Sequence, residues 1–190
     1  MTLPGVGEVE VLIPAERIAA RVTELGARLT REYAGRNPLF VSILKGGIVF
    51  LSDLMRAVTT PHEIDFLAVS SYGARTQSSG RVRLVHDLST EVRGRDVVLV
   101  EDIVDTGLTL RFLLDYLELR GPESLRICAL LMKETEDIAA VEPELIGFRI
   151  PNRFVIGYGM DLAGQYRNLP YVAALCAEPP AAAEGTGSGQ

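Results

Sequence analysis

Unbroken apolar runs take turns with amphipathic stretches along this chain, and short polar clusters mark most of the changes between them. Val97-Val98-Leu99-Val100, Leu39-Phe40-Val41-Ser42-Ile43-Leu44 and the stretch from Leu125 to Met132 lack polar alternation. That pattern belongs to strands buried on both faces of a parallel sheet. Glu63 to Ser70, Arg81 to Asp87 and Tyr171 to Leu175 read as further strands, and Glu8 to Ile13 as a short one at the start. Between Ala15 and Tyr33, Ile18, Val22, Leu25 and Leu29 recur at helical spacing, with Pro14 suited to the first turn. Helices are also predicted from Ile48, through Phe50, Leu51 and Leu54, and from Leu110, through Leu113, Leu114 and Leu117. Strands alternating with helices predict an α/β fold with a doubly wound, mostly parallel sheet core.

Composition narrows the function classes. The 190 residues fit one domain with a sizeable core. A net charge of -6 argues against a nucleic-acid or anionic-membrane surface. No run reaches transmembrane length, and no charged-then-apolar leader opens the chain. Cys128 and Cys176 lie far apart in apolar contexts and read as buried free thiols. Two histidines, His62 and His86, and no Cys/His cluster leave a zinc site unsupported. The expectation is a soluble, cytoplasmic protein. A single domain is expected over residues 1–178, with residues 179–190, small and rich in Pro and Gly, as a disordered tail.

Candidate chemistry gathers where predicted strands run into helices, the edge at which open α/β sheets bind ligands. After Val100 come Glu101 and Asp102, then Asp105-Thr106-Gly107-Leu108-Thr109, read as a loop between the buried strand and the next helix. Free backbone N–H groups, two hydroxyls and a glycine at a helix start suit a phosphate monoester. Three carboxylates beside it call for Mg²⁺ or for sugar hydroxyls donating to Glu101 and Asp102. The plainer alternative is an acidic helix start with a threonine cap. Lys45-Gly46-Gly47 repeats the arrangement after Leu44: two glycines let the backbone approach an oxyanion while the ammonium supplies charge. A solvated lysine in a glycine-rich turn is the alternative there. The polar stretch Ser71 to Gly80 is long for a compact domain and reads as a lid. Lys133 ends the strand from Leu125, so it is expected to point into the same crevice as Asp105 and Lys45.

Val98-Leu99-Val100-Glu101-Asp102-Ile103-Val104-Asp105-Thr106-Gly107-Leu108-Thr109 resembles the phosphoribosyl-pyrophosphate (PRPP) motif of type I phosphoribosyltransferases. The surrounding chain, from about Gly7 to about Leu175, is similar in family order to the hypoxanthine(-guanine) phosphoribosyltransferases. The resemblance implies purine salvage: transfer of the 5-phosphoribosyl group of PRPP to hypoxanthine or guanine, with release of pyrophosphate. It implies 5-phosphate and ribose binding by Glu101, Asp102, Asp105, Thr106, Gly107, Leu108 and Thr109. Leu108 replaces a charged residue of some relatives, a change that backbone N–H contacts tolerate. Lys45, Gly46 and Arg167 match pyrophosphate-side residues, with a non-proline cis peptide at Leu44–Lys45. Ser71 and Tyr72 match the lid pair that closes over the reaction centre. Lys133, Phe154, Val155 and Asp161 match purine-side residues; a lysine, having only donors, favours a 6-oxo over a 6-amino group. Phe154 could instead be core. Mg²⁺ is the implied cofactor, with Glu101, Asp102 and Asp161 as ligands, and Asp105 is the candidate acid/base at purine N7. A small hood from about residues 1–13 and 150–176 and a homodimer or homotetramer are implied as well. Two alternatives share the fold: a xanthine-preferring enzyme, and a non-catalytic PRPP sensor or RNA-binding regulator.

Overall fold

Burial on both faces is what the unbroken apolar runs demand, and they obtain it in the middle of a six-stranded sheet. The structure is a computed structural model that describes residues 1–4, 6–72, 81–135 and 141–177. Its elements in chain order are β1 (Thr2–Leu3), β2 (Gly7–Ile13), α1 (Ala15–Glu32), β3 (Leu39–Leu44), α2 (Ile48–Ala57), β4 (Glu63–Tyr72) and β5 (Arg81–His86). There follow β6 (Asp96–Val104), α3 (Leu108–Glu118), β7 (Ser124–Glu134), β8 (Leu145–Pro151), β9 (Val155–Ile156) and β10 (Val172–Leu175). The large sheet has the order β5-β4-β3-β6-β7-β8, parallel throughout except for β5, which returns antiparallel on β4.

Helices cover both faces, as a doubly wound sheet requires. On one face Ile18, Val22, Leu25 and Leu29 of α1 and Phe50, Leu51 and Leu54 of α2 pack against Val98 and Val100. On the other, Leu110, Leu113 and Leu117 of α3 pack against Val97 and Leu99. Adjacent residues of β6 thus serve opposite faces, the period of two that any strand imposes. α1 approaches α2 closely at Gly26, where an added Cβ would lie 2.5 Å from the Cβ of Ala57.

A second sheet, order β1-β2-β10-β9, is antiparallel and caps the molecule. The large sheet keeps the chain as far as Pro151, and the second sheet takes β9 and β10 from the C-terminal part of the chain. Cys128 is buried and free as expected, but Cys176 is free and exposed, because it follows the last strand instead of sitting within it. His62 stacks on Phe40 and hydrogen-bonds the Thr60 carbonyl oxygen. No helix among the described residues is long and apolar enough to cross a membrane. The expected lid residues 73–80, the side chains of Ser71 and Tyr72, and the expected tail lie outside the described residues.

Candidate active site

Three strand ends deliver the polar residues to one edge. β3 ends at Leu44, the Leu44–Lys45 peptide is cis, and Lys45-Gly46-Gly47 leads straight into α2. Only glycine fits at the middle of this loop: a Cβ on Gly46 would lie 1.9 Å from Asp102 Oδ2, and one on Gly47 would lie 2.3 Å from Ser42 Oγ. The backbone here is therefore bare and pressed against the acid of the neighbouring strand.

The sequence reading needs one correction at β6. Glu101 and Asp102 belong to the strand, which runs on to Val104, and not to the loop. Pairing with β7 as far as Val104–Met132 keeps them extended, and the apolar Ile103 and Val104 carry the strand past the acids. The consequence is chemical, because strand alternation sends the two carboxyls to different cavities. Asp102 lines a cleft of about 360 Å³ with Lys45, Gly46, Asp105, Lys133 and Phe154. Glu101 lines a smaller hollow of about 110 Å³ with Thr106, Gly107 and Thr109. Glu101 and Asp102 thus line different cavities, and no cluster of three or more His, Cys, Asp or Glu side chains suited to a metal occurs among the described residues.

The smaller hollow is built by a helix start. Gly107 has φ 75°, the left-handed conformation that suits glycine, and caps α3. The first amides of α3 lack partners within the helix and are available to an anion. Leu108 is half exposed at the helix start, and its side chain leaves this hollow open. Glu101 is buried beside it, with Oε2 lacking a hydrogen-bond partner. Burial, and secondarily the charge of Asp102, pushes its carboxyl well above the ordinary range. Burial likewise pushes Asp102 up to about 6, against the N–H groups of the strand end and the Arg167 guanidinium, which hold it down. Glu101 is short of a donor, a need that a sugar hydroxyl or a cation would meet.

On the floor of the cleft, Lys133 Nζ donates to Asp105 Oδ2 over 2.7 Å. The lysine is almost fully buried, while the aspartate side chain is 54% exposed. Phe154, 39% exposed, and the buried Val155 form the opposite wall, so Phe154 is not a core residue. Asp161 and Arg167 complete the lining and pair with each other at 2.5 Å. Arg167 also donates from Nη1 to the Gly159 carbonyl oxygen at 2.6 Å, and Asp161 Oδ2 accepts from the Gly164 N–H at 2.7 Å. Sequence reasoning missed Met160, which lines the cleft, and Gly159, whose Cβ would collide with the Gly46 carbonyl oxygen at 2.2 Å. The glycine-rich run Gly157-Tyr158-Gly159 was the available signal.

Known proteins resemble this chain over most of its length. The family model described as phosphoribosyl transferase domain matches residues 9–162. The hypoxanthine-guanine phosphoribosyltransferase of Bacillus subtilis is 46% identical over 166 residues, covering 87% of this chain and 92% of the relative. The bifunctional protein TilS/HprT of Listeria innocua is 46% identical over 166 residues, again 87% of this chain, which thus spans 26% of that longer relative. The crystal structure of a hypoxanthine phosphoribosyltransferase from Staphylococcus aureus superposes with a TM-score of 0.84 at 43% identity, covering 87% of this chain and 90% of that one.

Proposed function

Because this chain belongs to the phosphoribosyltransferase family, we propose that it transfers the 5-phosphoribosyl group of PRPP to the 6-oxopurines hypoxanthine and guanine, releasing pyrophosphate. The observation that carries this reading is the Lys133–Asp105 pair on the floor of the cleft. In a 6-oxopurine, O6 and N7 are neighbours on one edge. A donor and a carboxylate 2.7 Å apart can meet both, the lysine giving a hydrogen bond to O6 and the aspartate handling the proton at N7. Phe154 supplies a flat apolar face for the ring and Val155 the adjoining backbone.

The rest of the lining suits PRPP. The amides and hydroxyls of Thr106, Gly107, Leu108 and Thr109 take the 5-phosphate at the start of α3. Glu101, beside the 5-phosphate hollow, meets the ribose hydroxyls. Lys45, the bare backbone at Gly46 and the planar guanidinium of Arg167 neutralise the leaving pyrophosphate. Magnesium fits this donor set, since it binds one or two carboxylates and completes its shell from substrate oxygens and water. Asp102 and Asp161, which line the cleft, would hold it, and when bound it adds positive charge beside the pyrophosphate. Glu101, facing the other hollow, is left to the sugar. Ser71 and Tyr72 keep the lid role in this reading, and the working form is a homodimer or homotetramer in the cytoplasm.

A spectrophotometric assay with Mg²⁺ and PRPP, offering hypoxanthine, guanine, xanthine and adenine separately, tests the reading. Turnover of hypoxanthine or guanine but not adenine supports it. Turnover of adenine alone removes the role given to Lys133, and a strong preference for xanthine replaces the base named here.

A further inference from the structure

Tyr158 is buried and does not line the cleft, yet its backbone has φ 48°, the left-handed region that a bulky side chain avoids. Its neighbours Gly157 and Gly159 have φ 93° and 101°, so three successive residues are left-handed and only the middle one carries a side chain. That side chain reaches α2, where the phenol O–H donates to Asp53 Oδ2 at 2.5 Å. A tyrosine kept in a conformation that glycine would adopt freely indicates that the ring and its O–H are needed there.

The turn that Tyr158 anchors touches both arms of the pyrophosphate side. Its Gly159 carbonyl oxygen accepts from Arg167 Nη1 at 2.6 Å, and the Gly159 N–H donates to the Arg167 carbonyl oxygen at 3.0 Å. The Tyr158 N–H donates to the Leu169 carbonyl oxygen at 2.8 Å, binding the turn to the segment that bears Arg167. Gly159 also lies against Gly46, with room for no Cβ between them. Asp53, in turn, sits two turns into the helix that Lys45-Gly46-Gly47 opens. A second, largely apolar cavity of about 390 Å³ is lined by Asp53, Tyr158, Val49 and Arg167 among others. Arg167 thus lines both cavities and is held by Asp161 and by the Gly159 carbonyl oxygen of the turn.

We propose that Tyr158 is a positioning residue: through its hydrogen bond to Asp53 it holds the Gly157–Met160 turn, and thereby Arg167 and the Lys45-Gly46 loop, in register for the pyrophosphate end of PRPP. The proposal rests on the phosphoribosyl-transfer reading above. Tyr158→Phe keeps the ring and removes only the O–H. It raises KM for PRPP and weakens pyrophosphate inhibition by about tenfold, because Arg167 and the Lys45-Gly46 loop are no longer held ready for the ligand. KM for hypoxanthine stays within about twofold, and Tm falls by several degrees, as for any lost buried hydrogen bond to a charged acceptor. Asp53→Asn retains an acceptor and restores nearly normal values, whereas Asp53→Ala behaves like Tyr158→Phe, and the two together are no worse than either alone. Equal rises in both KM values, or none in that for PRPP, overturn the proposal. Calorimetric titration of pyrophosphate into the same variants gives a readout that needs no turnover: tenfold weaker binding in Tyr158→Phe supports the positioning role, and unchanged binding removes it. A wild-type protein that turns over no base overturns the transfer reading instead, and the titration still decides on Tyr158.

Discussion

Lys133 and Asp105 lie 28 residues apart in sequence, yet their side chains meet at 2.7 Å because β6 and β7 are parallel neighbours that end at the same edge. In the proposed reaction the pair opens when a base arrives: the ammonium exchanges a carboxylate for a carbonyl oxygen, and the carboxylate becomes free to work on a proton. Neither role survives alone, since a buried lysine without an acceptor is costly.

Replacing Lys133 with Met keeps the apolar stem and removes every donor. KM for hypoxanthine rises about ten- to hundredfold, as expected for a lost charged hydrogen bond. KM for PRPP changes little, because Lys45 and Arg167 are intact, and discrimination against adenine narrows. Steady-state kinetics with both bases checks this, and a Lys133→Met enzyme with an unaltered hypoxanthine KM excludes the lysine from base recognition.

Asp105→Asn preserves shape and a hydrogen-bond acceptor but cannot take up a proton at working pH. Turnover falls by about a hundredfold or more, the usual scale of a lost acid/base group. Pre-steady-state binding of PRPP stays nearly unchanged. Losses of the same size in turnover and in PRPP affinity would make Asp105 a binding residue only.

Gly46→Ala tests the packing of the loop. The added methyl group would come within 1.9 Å of Asp102 Oδ2, so the loop or the acid has to move. Either movement disturbs the cleft that Lys45, Asp102 and Arg167 line together. KM for PRPP rises by more than about tenfold while the fold, read by circular dichroism and Tm, is retained. Gly35→Ala is the comparison, because a Cβ there meets nothing within 4 Å, although its φ of 76° still strains a side chain. A Gly46→Ala enzyme with normal PRPP kinetics would show that the loop accommodates the methyl group.

Much of this arrangement is legible in the chain because it is local. Apolar runs mark β3, β6 and β7, helical spacing marks α1, and strand-end logic directs Lys133 to the crevice. The exact end of β6 is not local. Glu101 and Asp102 look like loop residues, and only the pairing of β6 with β7 keeps them extended and splits them between two cavities. The same holds for the second sheet, where β10 pairs with β2 across most of the chain. Arg167 is recognisable from its motif, but its acceptor at Gly159 depends on three left-handed residues that no periodicity announces. Tyr158 and Asp53, 105 residues apart, are brought together by packing alone.

Asp65 gives a prediction on stability instead of activity. Its buried carboxylate accepts from the Phe66 N–H at 2.7 Å, the Ser89 N–H at 2.9 Å, the Ser89 hydroxyl at 3.1 Å and the Thr90 N–H at 2.8 Å, tying the segment after β5 to β4. Burial acts to raise its pKa, but these donors together outweigh burial and leave it below the ordinary value of 3.8. A carboxyl depressed in the folded state binds its proton less readily there than in the unfolded chain. Its contribution is therefore complete above the unfolded pKa and is lost as pH falls through the folded one. Asp65→Asn costs about 1–3 kcal/mol at pH 7, where charged acceptors are replaced by a weaker and partly mismatched amide. The gap between wild type and variant narrows once pH drops below about 4, as the wild-type carboxylate is itself protonated. Urea unfolding at pH 7, 5 and 3.5 measures the gap directly. A gap that stays constant to the lowest pH would assign the loss to packing, and the charge of Asp65 would then have no part in holding the segment.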